Sequence, residues 1–248
     1  VRKGEVAEVA ANVFMARGTD VNWVLVRDGE DVTLIDGGWP GDVAAVEASV
    51  RAIGRRPEDV RAVLLTHAHL DHMGALNHFH ERYGAPVYTH ATEVGHARRE
   101  RLEQATPVDV LKQFVRPGGA GWILRILRAG ALTHPSIPHA RPFPTEGALD
   151  LPGNPVPVPC AGHTSGHVAY LLPDQGVVAS GDALVTGHPL SRTTGPQLIP
   201  AFFTHFLEES RESLDAFAKL DAGVLAPGHG EPWRGSMPDA VEAARASA

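Results

Sequence analysis

The chain opens with short runs in which apolar and polar positions alternate, punctuated by turn-forming residues. Segments 6–9, 12–16, 22–27 and 32–36 have the period of half-buried strands, with Gly18, Asp28-Gly29 and Gly37-Gly38 between them. The pattern then changes to a helical one over 42–53, which places Val43, Val46, Val50 and Ile53 on one face. Pro57 breaks the chain before 60–66, a compact apolar run of the kind that forms a buried strand. A helix at 73–82 and a short strand at 86–89 follow.

Residues 91–132 carry helical patterns (92–104, 108–115 and 122–132) with no strand between them. The next stretch, to residue 159, is rich in proline. Segment 91–145 therefore reads either as an insertion lying over the core as a lid or wall, or as an ordinary layer of helices on a sheet. Strands resume at 155–159, 168–172 and 176–180. A helix at 203–220, a strand at 223–226 and a last helix from about residue 238 complete the order. Strands come first, helices intervene and the order recurs once, which predicts two sheet-and-helix halves in a single α/β domain over 1–248.

Composition narrows the function. With 43% hydrophobic and 21% charged residues, the 248-residue chain can bury a substantial core. No apolar run approaches the ~18 residues of a membrane span. No basic segment followed by an apolar stretch is seen near the start, so a cytoplasmic location is expected, although a chain beginning at Val1 leaves a trimmed leader open. A net charge of −7 without a Lys/Arg block argues against a nucleic-acid partner. The single cysteine, Cys160, excludes an internal disulfide and a Cys-based zinc finger. Histidine stands out instead: there are 14, several in tight groups.

The segment Thr66-His67-Ala68-His69-Leu70-Asp71-His72 follows directly on the buried run Ala62–Leu65. His67 and His69 are two apart, so in extended backbone they point the same way, while Asp71 and His72 can face a second point beyond the turn. One tetrahedral ion rarely draws so many ligands from one segment; a pair of metals explains the crowding better. Three more apolar runs end in a Gly-flanked ligand type: Gly162-His163, Gly181-Asp182 and Gly228-His229. Open α/β sheets place their sites beyond the carboxyl ends of strands, so these groups can converge.

At this point the sequence resembles the metallo-β-lactamase superfamily, from Leu34-Ile35-Asp36-Gly37-Gly38 to Gly228-His229-Gly230. The run Gly162-His163-Thr164-Ser165-Gly166-His167 is similar to that of glyoxalase II and lactonase members. The resemblance implies a four-layer αββα sandwich of two mixed sheets flanked by helices. It also implies His67, His69 and His163 on a first metal, Asp71, His72 and His229 on a second, and Asp182 bridging both. Two Zn²⁺ are expected, with Fe or Mn as alternatives. Two zinc ions less Asp71, Asp182 and a bridging hydroxide leave a small positive excess, suited to a carbonyl oxygen becoming an oxyanion. The expected function is hydrolysis of a small ester, lactone, thioester or amide, with the bridging hydroxide as nucleophile.

Further roles are expected around that set. Asp71 can also orient the hydroxide. His188, six residues after Asp182, either touches substrate or donates a proton, or is an exposed loop histidine. Asp36 and His167 are expected to support the ligands rather than bind metal, and Cys160 to be a buried small hydrophobe. Trp23, Trp39, Trp122 and Phe202 are candidates for a pocket or for the core. His78, His80, His90, His96, His134, His139 and His205 are given no role.

The branch marks exclude more than they name. Asp182 stands where β-lactamases have Cys or Ser, so action on β-lactams is expected to be secondary at most. The Tyr of quorum-quenching lactonases, the helical C-terminal region of glyoxalase II and the clamp or basic arm of nucleases are missing. A mononuclear iron persulfide dioxygenase is the rival from another class, and a metal-binding member without useful activity is a second. Nothing in the sequence sets the oligomeric state.

Overall fold

The computed structural model describes residues 4–247. Its first half comprises β1 (Val6–Ala10), β2 (Val13–Arg17), β3 (Asn22–Asp28), β4 (Asp31–Ile35), α1 (Val43–Ala52), β5 (Val60–Leu64), α2 (Leu76–Tyr83) and β6 (Val87–Thr89). Helices α3 (Val94–Ala97), α4 (Pro107–Lys112) and α5 (Gly119–Arg128) follow, then the two-residue strand β7 (Arg141–Pro142). The second half comprises β8 (Val156–Pro159), β9 (Val168–Leu172), β10 (Val177–Gly181), α6 (Leu207–Phe217), β11 (Val224–Pro227), β12 (Trp233–Arg234) and α7 (Met237–Ser247).

The first sheet runs β1-β2-β3-β4-β5-β6-β7, antiparallel up to β4 and parallel from there on. The second runs β12-β11-β10-β9-β8, with only β10 and β11 parallel. Both sheets are thus mixed.

The period-two alternation of the strands sorts their side chains into layers. In β3, Trp23 and Leu25 face Val46, Val50, Leu76 and Phe79 of α1 and α2. Val24 and Val26 face the other way, onto Tyr170, Leu172, Val177 and Ala179 of the second sheet. In β10 and β11, Val178 and Leu225 point outward onto Leu214 and Phe217 of α6 and Met237 and Val241 of α7. Three apolar layers between four structural layers make the αββα sandwich that the resemblance implies.

Several boundaries differ from the sequence expectation. Segment 92–104 is not one helix: a 3-10 turn at Ala91–Glu93 leads into the single turn of α3, and Arg99 adopts a left-handed φ of 61°. Its polar side chains turn inward to bond the site loops, which a regular helix would not allow. The expected 108–115 helix is α4 followed by a 3-10 turn, started by a capping box in which the Thr106 hydroxyl accepts from the Asp109 amide. The 203–220 helix shrinks to α6, because the amides of His205 and Phe206 donate to the carbonyls of His163 and Gly162 instead of opening a helix. Strands β7 and β12, two residues each, have no sequence pattern to find.

Candidate metal centre

Each candidate ligand sits just past a strand: His67 to His72 after β5, His163 after β8, Asp182 after β10 and His229 after β11. Because β5 runs parallel to β4, and β11 to β10, these carboxyl ends open on one edge of the sandwich. All seven side chains meet there. His163 Nε2 lies 3.2 Å from His67 Nε2 and 2.9 Å from His69 Nδ1. On the other side, His229 Nε2 is 3.4 Å from Asp71 Oδ2, and His72 Nε2 is 4.0 Å from the same oxygen. Asp182 stands between the two groups: Oδ1 is 3.3 Å from His72 Nε2, while Oδ2 is 3.1 Å from His229 Nε2 and 3.6 Å from His163 Nε2. Apart from Asp71, whose side chain is 18% exposed, all are buried.

Two glycines make the approach possible. A Cβ on Gly228 would lie 2.2 Å from Asp182 Oδ1, and one on Gly181, whose φ is +51°, would meet Thr66 at 2.7 Å.

Partners on the outer face fix the tautomer of four of the five imidazoles, and His163 Nδ1 is buried without one. His72 Nδ1 donates to Asp36 Oδ2 at 2.8 Å, His69 Nε2 to the Glu103 carbonyl at 2.6 Å, and His229 Nδ1 to the Asp20 carbonyl at 2.6 Å. The Thr66 hydroxyl donates its one proton to Asp36 Oδ2, so it must accept from His67 Nδ1 at 3.0 Å. Four imidazoles therefore turn their second ring nitrogen inward, toward one another and toward two carboxylates. Such a set needs positive charge in its midst. Consistent with this, His72 Nε2 and Asp182 Oδ1 are buried without a hydrogen-bond partner. Nitrogen ligands of a tetrahedral ion at 2.0–2.1 Å would stand about 3.3 Å apart, close to the two spacings around His163. The donor set fits divalent metal ions.

Electrostatics divide the cluster in the same way. Burial holds His67 and His163 well below the ordinary histidine range, with neighbouring imidazoles adding to the effect, and lowers His69 to about 4. Burial also opposes charge on His72 and His229, but Asp182, Asp36 and Asp71 outweigh it at His72, raising it well above its usual value, and Asp182 and Asp71 raise His229 to about 10. Asp182 is held well below the carboxylate range despite its burial, chiefly by His229 and His72. One side thus offers neutral nitrogens, and the other two carboxylates that call for cations.

The residues expected in support occupy supporting positions. Asp36, with a left-handed φ of 63°, accepts from the Thr66 amide and hydroxyl and from His72. His167 Nε2 accepts the Asp182 amide at 3.1 Å, which leaves Nδ1–H to face Cys160 Sγ at 3.2 Å. Cys160 is buried, and desolvation pushes its thiol far above the usual cysteine range, so it is inert. His188 is half-buried beside the cluster, its ring 5.2 Å from that of His229. Its Nδ1 accepts the Leu190 amide, which puts the proton on Nε2. Trp23 is core, whereas Trp39 and Trp122 line the cavity beside the site; Phe203 lines it too, and its neighbour Phe202 does not.

Sequence reasoning missed Glu93, Glu103, His96 and Asn22. Glu93 is fully buried and ties two ligand loops together: Oε1 accepts the Ala68 amide, and Oε2 accepts the Thr164 hydroxyl and the Gly166 amide. His96 Nδ1 lies 2.9 Å from Glu93 Oε1, and Glu103 accepts the Ser165 amide. Asn22 Nδ2 donates to the carbonyls of Pro227 and Gly230 on either side of His229. The only available signal was Glu93-x-x-His96, which is indistinguishable from an exposed helical pair.

Residues 16–229 match the family model described as the metallo-beta-lactamase superfamily. The probable metallo-hydrolase YflN of Bacillus subtilis (strain 168) is 28% identical over 214 residues, which cover 82% of this chain and 76% of that protein. A hydroxyacylglutathione hydrolase of Halorhodospira halophila is 30% identical over 148 residues, 60% of this chain and 41% of that one. Among solved structures, a metallo-beta-lactamase family protein of Thermus thermophilus superposes with a TM-score of 0.61 at 26% identity, covering 94% of this chain and 77% of the other.

Proposed function

We propose that this chain, which belongs to the metallo-beta-lactamase superfamily, is a dinuclear zinc hydrolase of a small ester, lactone, thioester or amide. The observation that carries the reading is the inward convergence of imidazole nitrogens with the carboxylates of Asp71 and Asp182. His67, His69 and His163 would hold one ion, Asp71, His72 and His229 the other, and Asp182 both. Zinc bound there supplies a nucleophile from water at neutral pH and polarises a carbonyl oxygen.

The chain's own residues do the rest. Asp71 is the least buried of the seven and borders the cavity, so its carboxylate can accept a hydrogen bond from the attacking water and fix its direction. His188 presents an Nε2–H donor beside the same cavity, suited to hold the substrate's polar end. Residues 91–145 act as a cover within one domain over 1–248; α4, α5 and the loops around them form one wall of the cavity and exclude water from the reacting carbonyl.

Metal content per chain, measured on protein purified without added metal, tests this directly. Close to two zinc ions, with hydrolysis of a carbonyl substrate, is the expected result. About one iron and little zinc would overturn it and point to oxygen chemistry on a persulfide.

A further inference from the structure

The cavity that opens on the metal-type cluster has a volume of about 870 Å³, far more than the reacting carbonyl alone requires. At its inner end lie His69, Asp71, His163, Asp182, His188 and His229. Away from them the wall is hydrocarbon: Val110 and Leu111 from α4, Trp122, Ile123 and Ile126 from α5, and Leu132 beyond it. The mouth is apolar too, since Leu102, Leu111 and Leu132 line the cavity while remaining 63%, 66% and 77% exposed. Large apolar side chains left in water along a concave wall are a ligand surface rather than a packed core.

Charged groups along the cavity are few outside the cluster. Among the described residues that line it, Arg98 and Arg99 are the only Lys or Arg. Arg98 donates to the Ala140 carbonyl, and Arg99 to the carbonyls of Ala68 and Pro135. Asp20, the one carboxylate of the wall outside the cluster, is paired with Arg125 at 2.6 Å. Both guanidiniums are thus tied to the wall itself, and Arg98 also has Glu100 at 3.9 Å.

We infer that the cavity binds the aliphatic tail of the substrate, so that the enzyme acts on an uncharged carbonyl compound whose acyl or alkoxy part is a medium to long hydrocarbon chain. This rests on the hydrolase reading for the reaction, but the tail site itself does not. The carbonyl sits at the cluster, and the chain runs between α4 and α5 toward Leu102 and Leu132. Ile123 and Leu111 set chain-length preference; Leu124, exposed on the far side of α5 and absent from the lining, does not.

The test separates binding from reaction. Calorimetry of the metal-loaded protein with hexanol, octanol and decanol should show affinity rising about threefold to fourfold per methylene, the factor expected for a buried CH₂. Ile123→Asn and Leu111→Asn should flatten that rise, while Leu124→Asn leaves it intact; Leu111 is exposed, so its variant keeps the test alive if Ile123→Asn misfolds. In parallel, kcat/KM for 4-nitrophenyl esters should climb by a similar factor from acetate toward decanoate. Alkanol affinity independent of chain length, or lowered as much by Leu124→Asn as by Leu111→Asn, would overturn the tail site. Length-dependent binding with no ester hydrolysed would leave the tail site standing and sink the hydrolase reading instead. Hydrolysis of short and long esters at equal rates would do the reverse.

Discussion

The strand-end cluster and the helical cover above it are built on opposite terms. The cluster buries polar groups almost completely, and several of its imidazoles are held by a second bond: His72 to Asp36, His69 to the Glu103 carbonyl, His229 to the Asp20 carbonyl. The cover leaves large apolar groups in water, including Leu102, Val108, Leu111, Phe114, Val115 and Leu132. It rests on the core through a small cluster around Trp39, Leu70, Trp122 and Ile126. The difference teaches where rigidity is needed. Ligands must be held in one geometry for metal and chemistry, whereas a wall that selects by hydrophobic contact tolerates looseness. The two regions meet at Asp20, whose carbonyl orients His229 and whose carboxylate takes Arg125 from α5.

Substitutions should separate the regions by the size of their effects. Asp182→Ala removes the carboxylate between both groups and should lower metal content and kcat/KM together. The activity loss should exceed the ten- to hundredfold typical of a supporting residue; normal metal content in this variant would break the assignment. Glu93→Gln comes next, with metal affinity falling about ten- to hundredfold in a chelator competition while the chain-length preference is unchanged.

Glu93 also makes a pH prediction. Burial works against its charge, but the hydrogen bond from His96 and those from the Ala68 amide and Thr164 outweigh it and hold the carboxyl at about 2 instead of its usual 4.5. A depressed pKa stabilises the fold fully above 4.5, and the contribution disappears as pH falls toward 2. It is on the order of 3 kcal/mol. Urea unfolding across that window should therefore show a steeper acid loss in the wild type than in Glu93→Gln, and equal slopes would remove Glu93 from the account. His188→Ala, at the seam between cluster and cover, should have the smallest effect: about a two- to tenfold fall in kcat/KM, the worth of one hydrogen bond, with metal content untouched. An unchanged kcat/KM returns it to a loop residue.

Much of the molecule was legible in sequence because short-range physics writes it there. The alternation of β3 and β10 follows from two-sided burial, and the ligands are recognisable because His-x-His-x-Asp-His is dense in one chemistry, each further ligand following a strand and a glycine. Apart from Asp36 and His167, expected in support, the chain order could not contain which partners hold the candidate ligands and their loops. Glu93, Glu103 and Asn22 reach their bonds across 71, 62 and 205 positions of sequence, to Thr164, Ser165 and Pro227. Nothing local distinguishes them from exposed residues. The irregular path of 92–104 has the same cause, since those long-range bonds override a helical pattern. The sequence by itself determined the layers and a candidate ligand set, because both depend on periodicity and residue type. Only the tertiary structure decided the tautomers, the supporting carboxylates Glu93 and Glu103 and the apolar cavity, because each is a contact between segments brought together by packing.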